Sequence, residues 1–188
     1  PALAEAVMEH TLMVAAGTAE FVLEEVGEYV DVVLFPDDMG FQDRPYVRPE
    51  LYRQKIKPYH RRLVEAIKSK TKAKVLMHSD GSVYGIIPDL IDVGIDALNP
   101  VQVSAKDMDS QRLKAEFGGS LSFWGAIDTH WALPSGTPED VRNEVKTRIR
   151  DLGPGGGYVM ASVHNIQADV PPENIVAMFD SALEYGRY

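Results

Sequence analysis

The 188-residue sequence contains no cysteine, which excludes a disulfide framework, a thiolate nucleophile and any metal centre held by sulfur. A bound metal would have to be held by nitrogen and oxygen. Positive charge is also in deficit: 19 Lys and Arg stand against 28 Asp and Glu, for a net charge of -9. That balance argues against nucleic acid as a partner, because affinity for a phosphate backbone rests on clustered cations. The densest basic stretch, Lys55 to Lys74, falls on a predicted helix and its exit loop and reads as a solvated face. No uninterrupted apolar run approaches the roughly 20 residues that span a bilayer, so no membrane partner is expected. The start, Pro1-Ala2-Leu3-Ala4-Glu5, lacks the basic and apolar regions of a signal peptide, and the cytoplasm is the expected location. Because it opens without Met, the chain is expected to be a processed or truncated piece of something longer.

What is present is an ordinary globular composition, 45% hydrophobic and long enough for one domain with a sizeable core. Five short apolar runs each end in a polar residue. They are Val32 to Phe35 before Asp37-Asp38, Val75 to Met77 before His78-Ser79-Asp80, Ile95 to Leu98 before Asn99, Leu121 to Ile127 before Asp128, and Tyr158 to Val163 before His164. Between them lie helical signals. Leu3 to Glu28 reads as helix with a break at Gly17, and a strand is expected from Val30 to Phe35. Ile56, Tyr59, Leu63 and Ile67 share one helix face after Pro49. Val83 to Val93 is closed by Gly94 where a left-handed cap is expected, and Met108 to Phe117 is stopped by Gly118-Gly119. Thr137-Pro138-Glu139-Asp140 opens a helix whose buried stripe is Val141, Val145 and Ile149, and Pro172 to Tyr185 closes the chain. The run Gly155-Gly156-Gly157 precedes a strand instead of opening a helix, so it reads as a turn and not as a phosphate cradle. Alternation of this kind predicts an α/β fold with about five parallel strands and right-handed crossovers.

Several segments, in this order and at this spacing, resemble the uroporphyrinogen decarboxylase superfamily, which holds haem-pathway decarboxylases and cobalamin-linked methyltransferases. They are Asp37-Asp38-Met39-Gly40, Ile56-Lys57-Pro58, His78-Ser79-Asp80-Gly81-Ser82, Asn99-Pro100-Val101-Gln102, Trp124-Gly125-Ala126-Ile127-Asp128, Gly136-Thr137-Pro138-Glu139-Asp140 and Val170-Pro171-Pro172-Glu173-Asn174. The resemblance runs over nearly the whole chain and implies one domain, residues 1–188, corresponding to the later part of a (β/α)8 TIM barrel. Five strands do not close a barrel of eight. The family's amino-terminal arginine motif and early aspartate would lie in the absent part, and a second copy or another partner is one way to complete the wall.

In the methyltransferase branch, the place of His78-Ser79-Asp80 resembles His-x-Cys, a pair of zinc ligands, with Asp80 here standing for the Cys. Strand alternation puts His78 and Asp80 on one side, and His164 occupies the approximate place of a later Cys ligand. The resemblance therefore implies zinc or another divalent metal on His78, Asp80 and His164, with Asp37 or Asp38 as a further oxygen donor. The alternative is a metal-free, decarboxylase-type pocket in which His78 and His164 are hydrogen-bonded site residues. Of Asp37 and Asp38, one is expected to face the pocket and the other to turn the loop. Paired there, the two acids could raise one another's pKa and act as proton donors. Asn99 and Gln102 suit amide hydrogen bonds to a substrate, and Asp128 suits either substrate or loop amides. Trp124 is expected in the core, His10 and His60 on the surface, and His130 near the pocket. Three functions stay open: metal-assisted methyl transfer involving a corrinoid on a partner protein, cofactor-free decarboxylation of a tetrapyrrole-like substrate, and a non-catalytic or dimerising half-barrel.

Overall fold

The computed structural model describes residues 2–187. Helix and strand alternate through α1 (Ala2–Val26), β1 (Val32–Pro36), α2 (Pro49–Leu51), a π-helical turn (Tyr52–Ile56), α3 (Lys57–Lys70) and β2 (Lys74–His78). A 3-10 turn (Tyr84–Ile86) leads into α4 (Ile87–Val93), followed by β3 (Ala97–Asn99), α5 (Ser110–Phe117) and β4 (Ser122–Ile127). The chain then forms α6 (Ala132–Ser135), α7 (Pro138–Leu152), β5 (Tyr158–Ser162) and α8 (Pro172–Tyr185).

All five strands are parallel, and their order in the sheet is their order in the chain, β1-β2-β3-β4-β5. Sequential order without a reversal is the wall of a (β/α)8 barrel and not a doubly wound sheet, which switches direction at its middle. Among the described residues this wall is open, because β1 pairs only with β2 and β5 only with β4.

Strand alternation divides the side chains between two faces. Val33 and Phe35, with the fully covered Val75, Met77 and Phe123, turn toward the helices and join the main core. Burying a side chain such as Phe123 or Met77 contributes about 1.5–3 kcal/mol. On the other face Val32, Leu34 and Val159 stay exposed. The register carries Pro36 beside His78 and His78 beside Asn99, so these residues form one row across three strands at the carboxyl ends.

The helix ends follow their local chemistry. Thr137 caps α7 in a full capping box with Asp140, each side chain bonding the other's backbone N–H. Gly94 closes α4 at φ 98°, and Val141, Val145 and Ile149 form the buried stripe of α7. Gly155, Gly156 and Gly157 all have positive φ and make the expected turn before β5.

Several expectations are corrected. Gly17 does not break α1, which runs unbroken for 25 residues; a mid-helix glycine costs only about 0.5–1 kcal/mol, and Leu12 and Leu23 anchor the helix on either side. α1 is also long and apolar enough, by length and composition alone, to cross a membrane, although two of its acids pair with the π-helical turn and α3 through Glu5–Lys55 and Glu9–Arg62 at 2.7 Å each. β1 starts at Val32, two residues later than the apolar run suggests. Trp124 is only half-buried, because on β4 it is Phe123, its neighbour, that points to the helices. His60 is buried, not on the surface. It sits four residues after Ile56 and four before Val64, on the inward stripe of α3, where its polarity disguised its phase.

Candidate functional site

At the carboxyl ends of β2 and β5 three side chains converge. His78 Nε2 lies 3.4 Å and His164 Nε2 3.9 Å from Asp80 Oδ2, and one ligating atom from each residue falls within 4.8 Å of the others. The imidazole rings meet edge to face, 5.7 Å between centroids. On its other side His78 Nδ1 is 2.6 Å from Asn99 Oδ1. An amide oxygen only accepts, so Nδ1 carries the proton and the Nε2 lone pair faces Asp80 and His164. His78, Asn99 and His164 border a cleft of about 350 Å³ lined also by Leu34, Ser162 and Asn165.

Close backbone packing holds the two supporting loops together. A Cβ on Gly81 would lie 2.3 Å from the Gly40 carbonyl oxygen, and one on Gly40 would lie 2.7 Å from that of Asp80. Only glycine permits this approach, and Gly81 also has φ 81°. Around the contact, Met39 N–H donates to Ser79 Oγ, Asp80 N–H to Asp38 and Gly81 N–H to Gln102 Oε1. The Gln102 amide nitrogen donates to Gln42 at 2.7 Å. Asp38 and Gln102 thus brace the loop that carries Asp80.

His164 is positioned differently. Its φ of 118° is a conformation that L-residues rarely adopt, at a typical cost of about 1–3 kcal/mol. Ser162 Oγ donates to the His164 carbonyl at 2.6 Å and pins the turn. At this turn the ring packs against His78 at the end of β2.

Other residues singled out from the sequence fall elsewhere. Both oxygens of Asp128 accept backbone N–H groups, from His130, Trp131 and Ala132, so its carboxylate caps the entry to α6. His130 is exposed and meets Ser104 at 2.6 Å, and His10 is exposed on α1. Asp37 turns to the helix side of β1, where its Oδ2 lies 2.8 Å from His60 Nε2. His60 Nδ1 in turn lies 3.0 Å from the Tyr52 hydroxyl. Burial, followed by the nearby carboxylates of Asp89 and Asp37, pushes the Tyr52 hydroxyl well above the ordinary tyrosine range. It therefore stays protonated and donates to His60, which donates onward to Asp37. Nothing but the spacing of His60 on α3 signals this chain in the sequence. Ser162 and Asn165 are likewise cleft residues that sequence reasoning passed over, though both flank His164.

The sequence model of the family described as Uroporphyrinogen decarboxylase (URO-D) matches residues 1–185. Uroporphyrinogen decarboxylase of Legionella pneumophila (strain Lens) is 25% identical over 172 residues, covering 90% of this chain and 46% of that protein. The Pelodictyon phaeoclathratiforme protein of the same name is 23% identical over 185 residues, covering 96% and 50%. Among solved structures, a methyltransferase from Methanosarcina mazei superposes with TM-score 0.70 at 20% identity, over 92% of this chain and 48% of that one. The chain spans about half the length of the curated relatives it matches.

Proposed function

This chain belongs to the uroporphyrinogen decarboxylase family, and from that premise we propose that it forms the metal-binding half of a barrel enzyme acting on a small molecule by methyl transfer. The observation that carries this reading is the convergence of His78, Asp80 and His164 on one point of the barrel mouth. Two imidazoles and a carboxylate suit zinc or another divalent ion with coordination positions left for substrate. Bound there, such an ion would supply Lewis-acid activation and would lower the pKa of an acceptor group.

The chain's own residues prepare that role. Asn99 holds the proton of His78 on Nδ1 and presents Nε2. Asp38, together with the Gly40–Gly81 contact, fixes the loop of Asp80. The described residues lining this cleft offer imidazole, amide and hydroxyl groups and no Lys or Arg, which suits a neutral or thiol-bearing substrate better than a polycarboxylate. The same reading includes a corrinoid carried by a partner protein as methyl donor or acceptor, and a cytoplasmic setting.

Decarboxylation of a tetrapyrrole-like substrate is the second reading, favoured by the names and whole-chain alignment of the Legionella and Pelodictyon relatives. Elemental analysis separates the two. The purified chain is expected to carry close to one divalent ion, which a His78→Ala, His164→Ala double variant loses. Folded but metal-free protein that takes up no zinc, cobalt or iron on titration would sink the metal reading and leave decarboxylation, or a non-catalytic half-barrel, standing.

A further inference from the structure

The Tyr52–His60–Asp37 chain ends at a second, solvent-open cavity of about 540 Å³, lined by α1, α3 and the loop after β1. It is separate from the His78 cleft, with which it shares no lining residue. Its walls are mainly apolar and aromatic, including Phe35, Tyr46, Tyr59 and Leu63, and among the described residues the formal charges on them are the carboxylates of Asp37 and Asp38, with no Lys or Arg. Burial leaves His60 4% exposed and Tyr52 fully covered, so the donor that holds Asp37 Oδ2 is shielded from water and fixed in its tautomer by the tyrosine. Asp37 Oδ1 receives no hydrogen bond among the described residues. A half-exposed carboxylate anchored through one oxygen and free at the other, on the wall of an apolar, aromatic-lined cavity, is complementary to a cation that both donates N–H and carries hydrocarbon.

We propose that this cavity binds a small protonated amine with an apolar body, its N–H groups donating to Asp37 and its hydrocarbon packing against Phe35, Tyr59 and Leu63. The site does not depend on the metal reading, since none of the metal-site residues takes part. His60 acts as a positioning residue. Its ring engages one carboxylate oxygen and leaves the other free for the ligand.

Calorimetric titration of the full chain at pH 7 with hexylammonium, hexan-1-ol and hexanoate tests the assignment. Hexylammonium is expected to bind about tenfold more tightly than the alcohol, the span of one charge-assisted hydrogen bond, and hexanoate not at all. Asp37→Asn keeps an acceptor for His60 and so the fold, yet should erase the preference for the amine. Ala15→Phe, which fills the cavity from α1, should abolish binding of amine and alcohol alike. Equal binding of amine and alcohol, an unchanged preference in Asp37→Asn, or no binding of the amine would each overturn the proposal. Zinc uptake measured on the same samples reports the His78 site independently.

Discussion

The molecule builds a histidine–carboxylate pair at the ends of two adjacent strands, and the two pairs face opposite ways. At β2, His78 and Asp80 stand at an open cleft with His164 leaning over them; at β1, Asp37 meets His60 on the helix side, with Tyr52 behind it. The His60 arrangement is closed and satisfied: both ring nitrogens have partners and the ring is buried. The His164 arrangement is open and strained, with a half-exposed side chain and a φ of 118°. Satisfied buried groups stabilise a fold, whereas a strained exposed one is maintained at the fold's expense. The same residue type is therefore locked into a buried network in one place and held at an open, strained turn in the other.

The sharpest way to break this contrast is to remove each histidine in turn. His60→Ala should cost about 3 kcal/mol in urea denaturation, because it opens a cavity and leaves the buried Tyr52 hydroxyl unpaired. His164→Gly should do the opposite, stabilising by about 1 kcal/mol as the positive φ becomes unstrained, while zinc uptake is lost. If both variants destabilise alike, the distinction between a packing histidine and a chemical one fails.

A finer test leaves both histidines in place. Asn99→Leu removes the acceptor that orients His78, and should weaken metal affinity by about 10–100-fold without touching the Tyr52–His60–Asp37 chain. Titration with cobalt, followed by its visible spectrum, reads this directly. Unchanged affinity would mean that His78 needs no partner to present Nε2.

The smallest effect belongs to a control remote from both pairs. Burial pushes the Asp96 carboxyl up, but the Lys68 ammonium and the Val75 N–H, each 2.9 Å away, hold it below the ordinary carboxylate value. A depressed pKa in the folded state means stability that is present above about pH 4 and lost as pH falls through the folded value. Asp96→Asn should flatten that acid limb, with less than about 1 kcal/mol lost at pH 7, and should shift neither histidine pair. Acid unfolding followed by circular dichroism checks it.

Much of this was legible in the chain itself. Short apolar runs ending in polar residues located the five strands, with β3 starting two residues later than its run Ile95 to Leu98, and α8 occupies the span its pattern suggests. The spacing of His78 and Asp80 specified their common side, since alternation along a strand is local geometry. The family resemblance added His164 to that set, and the fold brings it there. The roles of Asp37, Asp128 and His60 were not legible, because each depends on what a distant segment presents. The amides of residues 130–132 take up both oxygens of Asp128, α3 turns Asp37 away from the cleft, and Tyr52 and Asp37 complete the bonding of a histidine whose sequence reads as surface. Local backbone periodicity thus determined the strands, the helices and the direction of His78. Only the tertiary structure decided which carboxylates were consumed and which left free, because a hydrogen bond is allotted by proximity in space and not by order along the chain.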